Sequence, residues 1–181
     1  RMTGRPHDAA FVLVTHEHYD HFSPEDIAKV CNPDTVFVLP LSMLDKVREV
    51  ETLFARIETV VPGERYSIDG LRFATVRAYN IGRPFHPKEA EWVGYVIEAN
   101  AGRVYIAGDS DATEEAMEVR CDVALIPIGG KYTMDADQGA ALANAIRPAT
   151  VIPVHYGGRL GSSDAAKTFA ALVDPAIRVE V

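Results

Sequence analysis

The chain has 181 residues, of which 48% are apolar and 24% charged, and a formal net charge of -8 at pH 7. That length suits one domain with a single sizeable core, and the negative charge argues against a general nucleic-acid binder. No apolar run approaches the ~20 residues that cross a bilayer, and no signal-peptide pattern is present, so no membrane role is expected.

In chain order, Phe11-Val12-Leu13-Val14 is continuously apolar and reads as a buried strand. Ser23-Pro24-Glu25-Asp26 opens a helix ending near Val30: serine caps, proline fits the first position, and the acids meet the positive end of the dipole. A strand over Thr35–Leu39 and a helix over Ser42–Val50 follow. The middle of the chain reads as strands at Glu58–Val61, Arg65–Ile68 and Leu71–Tyr79, the last two joined by a hairpin at Asp69-Gly70. A second hairpin joins Trp92–Ala99 to Arg103–Ala107 through Asn100-Ala101-Gly102. Alternation then returns: helix Thr113–Val119, strand Val123–Ile126, helix Asp135–Ile146, strand Thr150–Val154, helix Ser163–Leu172, strand Ile177–Val181. Hairpins mixed with βα units point to an α/β fold of two packed sheets with helices outside. Cys31 and Cys121 sit in no metal-type spacing and read as free, buried thiols, which points to a reducing, cytoplasmic setting.

The chemistry concentrates where strands end. Thr15-His16-Glu17-His18-Tyr19-Asp20-His21 packs three imidazoles and a carboxylate directly after the first strand. Imidazole and carboxylate are ligands for divalent transition metals. His16 and His18, two apart on extended backbone, project to the same side. Asp109 follows the strand Val104–Ala107 and Gly108, and His155 follows Val151–Val154, so each leaves a strand tip. His86 lies in the loop Pro84-Phe85-His86-Pro87 after the strand ending at Tyr79. Asp111 reads as a supporting or capping carboxylate, and Gly129-Gly130 as a close backbone approach or a simple turn. Arg83, Lys131 and Tyr132 are read either as contacts for an anionic substrate or as solvated surface, and His7 as solvated.

Thr15–His21 resembles the HxHxDH signature of the metallo-β-lactamase superfamily. Gly108-Asp109-Ser110-Asp111 is similar to that superfamily's GDT/SD motif, and Pro153-Val154-His155-Tyr156-Gly157 to its final histidine motif. The stretch Pro127–Met134 is similar to the branch of zinc-dependent hydrolases that contains sugar-lactone lactonases. The resemblance implies an αββα sandwich over residues 1–181 as a single domain. It also implies a two-metal site: His16 and His18 on one ion, Asp20, His21 and His155 on the other, and Asp109 bridging both. The ions would be zinc, with manganese or iron as alternatives. A metal-bound hydroxide would attack a small carbonyl or phosphoester substrate, a lactone among them, with Asp20 or Asp109 orienting the nucleophile. The alternatives are a phosphodiesterase or nuclease of the same superfamily, and a metal-binding protein that keeps the fold without catalysis.

Two departures qualify the resemblance. Where the superfamily supplies a third histidine to the first metal, this chain has Ala78-Tyr79-Asn80; His86, six residues on, is assigned in its place. Only residues 1–10 precede the first strand, so an apparently missing first hairpin and an unpaired sheet edge, with reduced stability or oligomerisation, are expected.

Overall fold

In the computed structural model, which describes residues 3–50, 56–158 and 160–181, the chain divides into two units, Arg1–Val61 and Pro62–Val181. Among the described residues it is an α/β protein with two sheets and helices.

The first unit is built on β1 (Phe11–Leu13), β2 (Val36–Pro40) and β3 (Arg56–Val60), parallel and in that order. Phe11 stands opposite Val36, and Val36 opposite Arg56. β2, in the centre, is buried along its whole length, as a strand paired on both sides should be. Parallel neighbours need a crossover, and α1 (Pro24–Val30) supplies it between β1 and β2. Its start follows the sequence signals: Asp26 N donates to Ser23 Oγ at 3.3 Å, proline occupies the first turn, and Lys29 Nζ reaches Asp26 Oδ1 at 2.6 Å.

The helix expected over Ser42–Val50 is instead a 3-10 run, Leu41–Glu49. The residue before it is Pro40, which offers no side-chain acceptor. The N–H groups that begin an α-helix are therefore left uncapped, and tighter pairing wins.

The second unit holds a seven-stranded sheet in the order β10-β9-β8-β7-β6-β5-β4. Its strands are β4 (Arg65–Ile68), β5 (Leu71–Arg77), β6 (Val93–Ala99), β7 (Gly102–Ile106), β8 (Val123–Pro127), β9 (Thr150–Val154) and β10 (Arg178–Val179). β4 to β7 form an antiparallel meander, whereas β7 to β10 are parallel. Asp69 and Gly70 both take positive φ, +47° and +86°, which is the turn a two-residue hairpin needs.

Among the described residues, α2 (Glu114–Met117), α3 (Ala136–Ile146) and α4 (Ala165–Leu172) connect this sheet. α3 opens on a capping box, with Gln138 N donating to Asp135 Oδ1 at 2.8 Å and Asp135 N to Gln138 Oε1 at 3.1 Å. Its apolar stripe enters a core with Ile126, Ile128, Met134, Val151 and Phe169. The closing strand is shorter than the expected Ile177–Val181, and β5 stops two residues before Tyr79. Ala78 N still bonds Trp92 O in the β5–β6 register, and beyond it Asn80 N bonds His86 O, which draws the chain out of the ladder.

One consequence of this topology decides where chemistry can gather. β5 and β7 are both antiparallel to β6, so they run the same way, and β8 and β9 run parallel to β7. The carboxyl ends of β5, β7 and β9 therefore lie at one edge of the sheet. The loops carrying His86, Asp109 and His155 leave from those three ends.

Candidate metal centre

In the first unit, the chain leaves β1 and turns sharply: His21 N and Phe22 N both bond His18 O, at 2.9 and 2.8 Å. The turn brings the imidazoles together. The His16 and His18 rings meet edge to face with centroids 4.8 Å apart, and His16 and His21 approach to 4.1 Å. Asp20 Oδ2 lies 3.6 Å from His21 Nε2. His16 is buried, and its Nδ1 pairs with Thr15 Oγ1 at 2.9 Å, a contact that orients the ring. Tyr19, between two candidate ligands, is 81% exposed.

In the second unit, three residues far apart in sequence meet. Asp109 Oδ2 lies 3.3 Å from His86 Nε2 and 3.2 Å from His155 Nε2. Asp109 and His86 are buried. The placement is held by close backbone packing. A Cβ added to Gly94 of β6 would sit 2.7 Å from the carbonyl oxygens of Ile106 and Ala107, directly before Gly108-Asp109. A Cβ on Gly129 would meet His155 O and Leu160 O at 2.6 Å. The close-approach reading of Gly129 is therefore the one the fold uses. His155 itself has φ +54°, a left-handed conformation that costs a non-glycine residue roughly 1–2 kcal/mol.

The donor set suits a divalent cation. Nitrogen and oxygen ligands bound to zinc at ~2.0–2.2 Å in a tetrahedron stand ~3.3–3.5 Å from one another. Both separations at Asp109 Oδ2 are close to that edge, so the carboxylate oxygen and either imidazole nitrogen can face a common ion. His16, His18, Asp20, His21, His86, Asp109 and His155 are thus candidate metal-binding residues.

Around them, Asp111 accepts from Ile81 N at 2.7 Å and pairs with Arg83. Arg83 is engaged by this pairing and by the Thr133 and Gly130 carbonyls, at 2.7 and 3.1 Å, which makes it a brace between loops. Lys131 is exposed and lies over the Tyr132 ring. His7 is exposed, with its Nδ1 at Cys31 O. The sequence reading missed Asn80 and Thr15 as partners of histidines. The signal for Asn80 was present, since it stands where the superfamily's histidine was expected.

Comparison with known proteins agrees with this chemistry. The family model for the β-lactamase superfamily domain matches residues 2–156. A UPF0173 protein of Pyrococcus furiosus is 35% identical over 156 residues, 81% of this chain and 66% of the relative. A UPF0173 metal-dependent hydrolase of Nanoarchaeum equitans is 34% identical over 158 residues, 81% of this chain and 69% of the relative. Among solved structures, a candidate metal-dependent hydrolase of Parabacteroides distasonis superposes with a TM-score of 0.80 at 28% identity, covering 96% of this chain and 76% of that one. Fold and donor set together define a metallo-β-lactamase-type protein. The chain belongs to the β-lactamase superfamily domain family, whose members among these relatives include metal-dependent hydrolases.

Proposed function

We propose that this chain is a metal-dependent hydrolase acting on a small carbonyl or phosphoester substrate, with a lactone as the leading candidate. The observation that carries the reading is the buried Asp109 carboxylate, whose Oδ2 stands between His86 Nε2 and His155 Nε2 at ligand-to-ligand separations. Residues 1–181 act in this reading as one catalytic domain. His16, His18 and His86 hold one divalent ion, Asp20, His21 and His155 hold a second, and Asp109 serves both. Zinc fits the nitrogen-rich set best, and manganese and iron accept the same ligands.

When bound, such ions polarise the scissile carbonyl or phosphoryl group and lower the pKa of water, so that hydroxide is available near neutral pH. The protein's own part is placement. Asp109 and His155 leave a rigid sheet edge and fix the reacting centre, while Asp20 is the more exposed carboxylate and the one able to accept a proton from an incoming nucleophile. Tyr19, beside Asp20, is solvent-exposed. Among the described residues no helix is long and apolar enough to cross a membrane. With Cys31 and Cys121 both free and buried, we assign the chain to the cytoplasm.

The test is to compare wild type with Asp109→Ala and His16→Ala on a panel of lactones, esters and phosphodiesters with added zinc or manganese, measuring bound metal alongside. Turnover should fall by at least ~10²-fold in both variants, the scale expected when charge stabilisation at the reacting centre is removed. Unchanged turnover in both would refute the reading. Bound ions with no turnover on any substrate would identify a metal-binding protein without hydrolysis.

A further inference from the structure

His86 arrives from a loop at the place where the family pattern expects a histidine on the strand itself, and that place is occupied by Asn80. The two are joined twice. Asn80 N bonds His86 O at 2.8 Å, closing the loop, and the side chains meet with His86 Nδ1 2.8 Å from Asn80 Oδ1. At its other end Asn80 Nδ2 points to Asp111 Oδ1 at 3.3 Å. Asp111 in turn pairs with Arg83, whose Nη1 donates to Thr133 O at 2.7 Å and Gly130 O at 3.1 Å. Asn80, His86 and Asp111 are all buried.

The polarity of this chain of contacts has one solution. A carboxylate paired with arginine only accepts hydrogen bonds, so the Asn80 group facing Asp111 must be the NH2. The group facing His86 is then the amide oxygen, which also only accepts. His86 Nδ1 must therefore carry a proton and donate; in the neutral imidazole this leaves the lone pair on Nε2, the atom that lies 3.3 Å from Asp109 Oδ2. A neutral imidazole coordinates through its unprotonated nitrogen, and the hydrogen bond on the other nitrogen decides which one that is.

We propose that Asn80 is a positioning residue that fixes His86 as its Nδ1–H tautomer and aims Nε2 at a divalent cation held by Asp109, with Asp111 and Arg83 setting the orientation of the Asn80 amide. The arrangement holds a loop-borne histidine through both its backbone and its side chain. The metal half of the proposal rests on the functional reading above; the tautomer half does not.

The experiment uses the full chain. Long-range 15N–1H spectra of the metal-free protein report which His86 nitrogen is protonated, and competition against a chromophoric chelator reports zinc affinity. Wild type should show Nδ1–H at His86. Asn80→Ala should lose that preference and bind zinc ~10–100-fold more weakly, the usual cost of removing a ligand's hydrogen-bond partner. Asp111→Asn, which keeps the side-chain volume but lets the Asn80 amide face either way, should shift both readouts in the same direction by less. In a His86→Ala background, Asn80→Ala should change zinc affinity no further, whereas a merely structural asparagine would subtract the same amount again. A neutral wild-type His86 protonated at Nε2 alone, an unaltered tautomer in a folded Asn80→Ala variant, or additive losses in the double variant would each overturn the proposal. A wild-type chain that binds no zinc overturns the functional reading, and the spectra still decide whether Asn80 sets the tautomer.

Discussion

Gly129→Ala isolates the packing that places His155. An alanine Cβ there would lie 2.6 Å from the carbonyl oxygens of both His155 and Leu160, and 3.5 Å from His155 Nδ1. Reaching the 3.4 Å of ordinary contact requires both carbonyls, which are backbone, to retreat by about 0.8 Å. The neighbourhood resists. Gly129 N is bonded to Thr133 Oγ1 at 3.2 Å, Gly130 N to Met134 O at 2.9 Å, and Arg83 ties the same loop down. Overpacking of this kind costs roughly 1–3 kcal/mol. At ~2–4 °C per kcal/mol for a chain of this size, the melting temperature should fall by several degrees. The chemistry should suffer more than the fold, because a displacement of about 1 Å at a reacting group can cost ~10²-fold in rate. Calorimetry reads the first effect and turnover on the substrate panel, with chelator competition beside it, reads the second, and Gly4→Ala, with nothing within 4 Å of its Cβ, is the control. A Gly129→Ala protein that melts and binds metal like wild type would refute the idea that this contact positions His155.

Phe169, fully buried in the second unit's core, should cost about 3–5 kcal/mol when replaced by alanine, read from denaturant midpoints; a loss under 1 kcal/mol would show that the site collapses freely. Asp135→Ala removes the acceptor of the α3 capping box and should cost ~0.5–2 kcal/mol by the same measurement. Burial pushes both cysteine thiols up, Cys121 to about 11 with Asp122 adding to the effect, so little thiolate exists at pH 8. A colorimetric thiol reagent should therefore react slowly with the native protein and count two thiols only after denaturation; rapid native reaction would contradict that burial.

Much of this was legible in the residues. Local signals set the start of α1 at Ser23-Pro24, the hairpin at Asp69-Gly70 and the capped start of α3, because each depends on neighbours in sequence. The imidazole cluster of the first unit was legible for the same reason: its members are consecutive. The 3-10 run at Leu41–Glu49 was not, since its apolar spacing fits a helix and only the missing cap decides its type. The second unit's cluster was named through the family resemblance alone, because its meeting depends on the sheet order, which makes the ends of β5, β7 and β9 coincide and which no local pattern encodes. Asn80 read as a defect because its role lies in a side chain six residues away.

The central claim is that imidazoles and carboxylates at strand ends hold catalytic divalent metal. Anomalous diffraction from zinc-loaded crystals, with elemental analysis of the same preparation, tests it most directly. Two ions per chain are expected, with Asp109 within bonding distance of both and His86 and His155 on separate ions. Bound zinc lying away from Asp109, or none retained after loading, would contradict it.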